Sequence, residues 1–134
     1  MNFLIFLHHI NFGLLILRLG VGAVFFVHGR QKWAMWKMQP TEQMSAGMIN
    51  LMRFLSIAEP LGSLAVIFGL FTQVAALGFC CVMVGAIYMK ITAWGRKFSG
   101  EGGWEFEFIL LCAALTLVLL GGGSHALDRV WFGI

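Results

Sequence analysis

Apolar residues in this chain fall into long runs, broken by short polar stretches. The first run, NFGLLILRLGVGAVFFVHGRQ, covers residues 11–31. A second covers about residues 54–71. A third follows the turn at Thr72-Gln73 and covers about residues 74–91. A fourth covers about residues 104–120 and stops at Gly121-Gly122-Gly123. A helix needs about 20 apolar residues to cross the hydrocarbon core of a bilayer. The pattern therefore predicts an all-α, membrane-embedded four-helix bundle, with residues 1–134 forming a single integral membrane domain. The short link between the second and third runs makes those helices antiparallel neighbours. Residues 1–10 contain no Lys or Arg, and no small-residue cleavage site precedes the first run, which is read as a retained helix.

The polar stretch before the second run has a pattern of its own. Pro40-Thr41-Glu42 reads as a helix start with Thr41 as N-cap. Met44, Met48, Leu51, Met52 and Leu55 then recur at helical spacing. Glu42, Gln43, Ala46, Asn50 and Arg53 fall mostly on the other face. This predicts an amphipathic lead-in that runs into the second span. Five of the eight methionines lie between Met35 and Met52. Without a nearby Cys or His, they read as an interfacial cover rather than a copper(I) site. Gly22 and Gly29, Gly62 and Gly69, and Gly78 and Gly85 are each seven residues apart, which predicts close helix approach on one face of each helix.

Composition sharpens the picture. Of 134 residues, 60% are apolar and only 11% are charged, and the mean hydropathy is +0.87. Soluble domains carry about 25% charged residues. A soluble enzyme, a disordered chain and a secreted disulfide scaffold are thereby excluded. The net charge of +3 reads as loop charge on membrane spans, not as a nucleic-acid-binding face. Cys80, Cys81 and Cys112 lie in apolar runs without C-x-x-C spacing and read as packing residues. Trp33, Trp36, Trp94 and Trp104 fall at span ends on one side, and Trp131 on the other. Arg30, Lys32, Lys37, Arg53, Lys90, Arg96 and Lys97 cluster at the two long loops. The positive-inside rule then places those loops in the cytoplasm and both termini outside.

Candidate chemistry lies in the polar residues that interrupt the spans. A charge at the bilayer centre costs about 2.5–3.5 kcal/mol on insertion scales, so such residues tend to face inward and mark function. Arg18, Gly22, Phe25, Gly29 and Lys32 share one stripe of the first helix, with His28 on its flank. Glu59 precedes Pro60, whose missing N–H frees carbonyl groups nearby. Lys90 ends the third span, and Glu105 and Glu107 open the fourth. These two cannot both face inward, and Glu105 is favoured. The expectation is a polar pocket lined by His28, Lys32, Glu59, Lys90 and Glu105, floored by Arg18. The competing reading is structural: an Arg18–Glu59 pair that fixes helix register, with Lys32, Lys90 and Glu107 in the interface. No two spans offer histidines at one depth, so bis-histidine haem is not expected. His8, His9 and His125 lie near the terminal side.

The blocks RLGVGAVFFVHGRQK (residues 18–32), EPLGSLAVIFGLFTQVAALG (59–78), GGWEFEFILL (102–111) and GGGSHALDR (121–129) together resemble the DoxX family of small membrane proteins. Arg18, Gly22, His28, Gly29, Lys32, Glu59, Glu105 and Asp128 correspond to the family pattern. Lys90 stands where relatives often carry histidine. The resemblance implies a four-helix membrane bundle in a bacterial-type inner membrane. Some relatives are the membrane subunit of thiosulfate:quinone oxidoreductase, and others are partners of superoxide dismutase and a sulfurtransferase. It therefore implies a quinone-linked redox subunit that works with a partner protein or as a homo-oligomer. Glu59, His28 and Arg18 are the candidate reactive groups, and Arg18, Phe25, Lys32, Glu59, Lys90 and Glu105 the candidate quinone contacts. No haem, flavin or metal is expected, so electrons come from the substrate or a partner chain. A non-catalytic scaffold and a small-anion carrier are the alternatives.

Overall fold

The computed structural model describes residues 9–133. His8 lies outside them. Among the described residues the regular structure is entirely helical: α1 (Ile10–Gln31), a 3-10 turn (Lys32–Trp36), α2 (Ala46–Phe68), α3 (Thr72–Thr92), α4 (Glu105–Leu120) and the short α5 (Leu127–Phe132). Three segments are long and apolar enough to cross a membrane: Ile10–Trp36, Ala46–Phe68 and Thr72–Thr92. Helix α4 has 16 residues, about 24 Å at 1.5 Å per residue.

Helix α1 packs most extensively on α2, and α3 on α4. Smaller contacts join α2 to α3 and α1 to α4. The apolar core runs through all four, from Leu14, Val21 and Phe25 to Val66, Phe79, Met83, Leu110 and Leu117. At its centre the rings of Phe25 and Phe79 stack at 3.8 Å.

The radial distribution of polarity suits lipid rather than water. Ile16, Val27, Leu61, Val74 and Leu119 are exposed, while Arg18, Ser56, Glu59, Ser63, Thr72, Glu107 and Asp128 are buried. In a bilayer the apolar shell meets hydrocarbon, and polar groups find partners only inside.

Glycines set how closely α1 and α2 approach. A methyl at Gly29 would overlap the Pro60 ring and come within 3.1 Å of the Glu59 Cβ. One at Gly22 would overlap the Ile67 side chain. Gly62 lies against Phe79, and Gly69 (φ +73°) ends α2 in the left-handed region. Gly78 and Gly85 depart from the expectation: a Cβ at either would meet nothing within 4 Å. They face outward and mediate no helix approach within the chain.

The first loop also differs from its expected form. Ser45, not Thr41, is the N-cap of α2, its hydroxyl accepting the Met48 N–H. Thr41 instead accepts the Met44 N–H in a turn outside the helix. The lead-in is continuous with α2, but its buried residue is Ile49, while Leu51 is exposed. The Arg53 guanidinium donates to the carbonyls of Met35 and Met38, pinning the loop to α2.

Candidate functional site

Five titratable side chains assemble at the long-loop end. The Lys32 ammonium, just past α1, donates to both Glu59 carboxylate oxygens at 2.8 and 2.7 Å. The Glu59 side chain is 1% exposed. Lys90, in the last turn of α3, lies 2.7 Å from Glu107 Oε1 and donates to the Gly103 carbonyl at 2.9 Å. Glu107 Oε2 is buried and accepts no hydrogen bond. The His28 ring packs against Phe106 at 5.6 Å between centroids. One ion pair thus ties the end of α1 to α2, the other ties α3 to α4, and His28 of α1 packs on Phe106 of α4.

Local sequence accounts for each placement. On α2, Ser56, Glu59, Ser63 and Val66 form one inward row. Pro60 has no N–H for the Ser56 carbonyl. The Trp33 indole N–H donates to that carbonyl instead, at 2.9 Å. The Trp36 indole N–H donates to the Ser56 hydroxyl at 2.9 Å, and that hydroxyl donates to the Arg53 carbonyl at 2.6 Å. On α4, Glu107, Leu110, Ala114 and Leu117 form the buried stripe.

Of the expected pocket residues, His28 packs on Phe106, and Lys32, Glu59 and Lys90 enter ion pairs. Glu105 does not: it is exposed, and Glu107 takes the inward place. Arg18 belongs elsewhere. Its guanidinium donates to the carbonyls of Gly122 and His125 at the terminal end, at 3.0 and 3.2 Å. It neither floors the array nor pairs with Glu59, whose partner is Lys32. Phe25 is fully buried in its stack with Phe79. Arg18 Nε is buried without a hydrogen-bond partner.

Arg18 is part of a second polar centre that sequence reasoning did not resolve. Asp128, opening α5, accepts the backbone N–H groups of Phe71 and Thr72 at 2.6 and 2.9 Å. It therefore caps α3 from across the chain and holds Phe71 at φ +50°. The Asp128 N–H in turn donates to the Gly69 carbonyl at 2.8 Å. These contacts join residues 56 and 57 positions apart, so no local spacing encodes them.

A groove of about 440 Å³ runs beside the array, lined by Trp33, Trp36, Ser56, Ile57, Pro60 and Leu61. Among the described residues no three His, Cys, Asp or Glu side chains converge to hold a metal ion.

The DoxX family model matches residues 13–93, which carry Arg18, His28, Lys32, Glu59 and Lys90. A Bacillus subtilis (strain 168) protein named "Putative oxidoreductase CatD" is 36% identical over 124 residues, covering 90% of this chain and 87% of the relative. No solved structure matches the chain. A family match over more than half the chain and a relative of nearly equal length lead to one conclusion: this membrane protein belongs to the DoxX family.

Proposed function

We propose that the chain is a four-helix membrane bundle serving as the membrane subunit of a quinone-linked oxidoreductase complex. It lies in a bacterial-type inner membrane, with the long loops cytoplasmic and the termini outside. The two ion pairs at the long-loop end, together with His28 on α1, carry this reading. Two ion pairs and an imidazole, drawn from every long helix, are more than a register device requires, and intramembrane ionisable groups of this kind mark proton paths. The name of the Bacillus subtilis relative supports redox chemistry.

A bound quinone supplies two-electron, two-proton chemistry. The chain's own part is proton handling and charge compensation. His28 has a ring nitrogen to accept or release a proton. The Glu59 carboxylate exchanges protons on the α2 side. Glu107 Oε2, buried without a donor, is the open acceptor on the α4 side. Lys32 and Lys90 balance the two carboxylates in a medium where an isolated charge is costly. Electrons enter from a substrate or a partner chain.

The test is isolation of the protein from its native membrane in mild detergent, with mass spectrometry of bound lipids, quinones and proteins. A near-stoichiometric quinone together with a redox-active second chain is expected. A preparation with a partner but no quinone would contradict this reading and favour the scaffold.

A further inference from the structure

Two features of the 3-10 turn Lys32–Trp36 exceed what a connection between spans requires. The first is the direction of its indole N–H groups. A tryptophan at a membrane interface keeps its N–H for water and headgroups. Trp33 and Trp36 each leave 54% of their surface exposed, yet both donate inward, to the fully buried Ser56. The second is the helix type. Three residues per turn bring side chains i and i+3 into line, whereas in an α-helix they stand about 60° apart. The 3-10 geometry thus brings Trp33 to the Ser56 carbonyl and Trp36 to the Ser56 hydroxyl, each at 2.9 Å. Guanidinium groups lie over both rings, Arg30 at 5.9 Å from the Trp33 centroid and Arg53 at 5.8 Å from the Trp36 centroid.

Pro60 creates the acceptor that Trp33 uses. A helix carbonyl left without a donor is costly in hydrocarbon, and the Ser56 carbonyl takes the Trp33 N–H where the helix donor is missing. The donor comes from the residue next to Lys32, and the acceptor stands one turn before Glu59 on the same inward row of α2. Adjacent residues of the 3-10 turn therefore hold adjacent turns of α2, Trp33 on Ser56 and Lys32 on Glu59. A lysine side chain is a flexible four-carbon stem, so a bond from its ammonium to both carboxylate oxygens depends on where its backbone is anchored.

We infer that Trp33 is the positioning residue of the Lys32–Glu59 pair, and that Pro60 opens the anchor point it needs. The indole bond fixes the backbone beside Lys32, and the ammonium then closes on both Glu59 oxygens. Without that anchor Lys32, whose side chain is 21% exposed, turns towards water and leaves Glu59 without its counter-charge. The inference deepens the quinone-linked reading and rests on it only for the work that the pair performs.

The test is infrared spectroscopy of the protein in lipid nanodiscs without quinone, with the thermal midpoint measured alongside. The Glu59 band is the component lost in Glu59→Gln, and Lys32→Met marks where it moves when the ammonium is removed. In Trp33→Phe the component is expected to move to the Lys32→Met position while the midpoint falls by a few degrees. In the double variant Trp33→Phe, Pro60→Ala, the new helix N–H serves the Ser56 carbonyl. Its midpoint is expected to recover while the Glu59 component stays displaced. Benzothienylalanine at position 33 keeps the ring shape and lacks only the N–H, so it gives the same displacement even where Trp33→Phe does not fold. An unshifted Glu59 component in the benzothienylalanine protein would overturn the inference. Recovery of both midpoint and component in the double variant would reduce the indole to a carbonyl donor and also overturn it. Neither failure touches the quinone-linked reading, which fails separately if reduction of added decylubiquinone leaves the wild-type Glu59 component unchanged.

Discussion

Glu105 and Glu107 are two residues apart, yet only Glu107 is buried. Replacing Glu107 with Gln leaves the Lys90 ammonium without its counter-charge beside the Gly103 carbonyl. Lys90 keeps some solvent access, so the loss is expected to be about 1–3 kcal/mol rather than that of a fully buried pair. Thermal unfolding in detergent reads it as a lower midpoint, while Glu105→Gln leaves the midpoint unchanged. Arg18→Lys is expected to destabilise as well. The guanidinium fork reaches the carbonyls of both Gly122 and His125, and one ammonium does not reproduce that geometry. At this scale the sequence was legible in part. Arg18 and Glu59 stood out as charges inside apolar runs, and both are buried. Their partners were not legible. Arg18 binds carbonyls 104 and 107 residues away, and Lys32 satisfies Glu59 instead. Helix α4 is apolar on every face, so its rotation was undetermined until Leu110, Ala114 and Leu117 fixed the buried stripe.

Between elements, the α1–α2 contact is the tightest feature of the fold, and its glycines were readable from their seven-residue spacing. Gly29→Val forces Pro60 and the Glu59 side chain away from α1. The expected result is a loss of about 1–3 kcal/mol, seen in the same unfolding assay, together with a weakened Lys32–Glu59 pair. Gly85→Ala, with open space around it, is expected to hold the stability or raise it by up to about 1 kcal/mol. Equal losses in both variants would contradict the assigned helix faces. The same spacing misled at Gly78 and Gly85, because seven-residue spacing marks a face without saying whether lipid or protein covers it. The start of α2 was misplaced for a related reason. Thr41 and Ser45 are both competent caps, and Arg53 pins the loop so that Ser45 opens the helix.

Over the whole molecule, the hydropathy pattern carried the fold class because a chain with so little charge has only lipid to face. Asn11 near the start of α1 accepts the Ser124 N–H, so the two ends of the described chain lie together, opposite the cation-rich loops. On a cysteine-free background, Lys97→Cys is expected to react with a membrane-impermeant maleimide only from the cytoplasmic side, and Ser124→Cys only from outside. Reversed labelling would contradict the proposed orientation. The proposed quinone-linked role rests on family resemblance, since the sequence carries no cofactor motif. Its central claim is that the His28-centred array exchanges protons with a membrane quinone. Redox-induced infrared difference spectroscopy of the purified protein with decylubiquinone tests this most directly. The account predicts carboxyl and imidazole bands that change with quinone reduction, with the carboxyl bands lost in Glu59→Gln and the imidazole band lost in His28→Phe. Identical difference spectra in the wild type and both variants would contradict it.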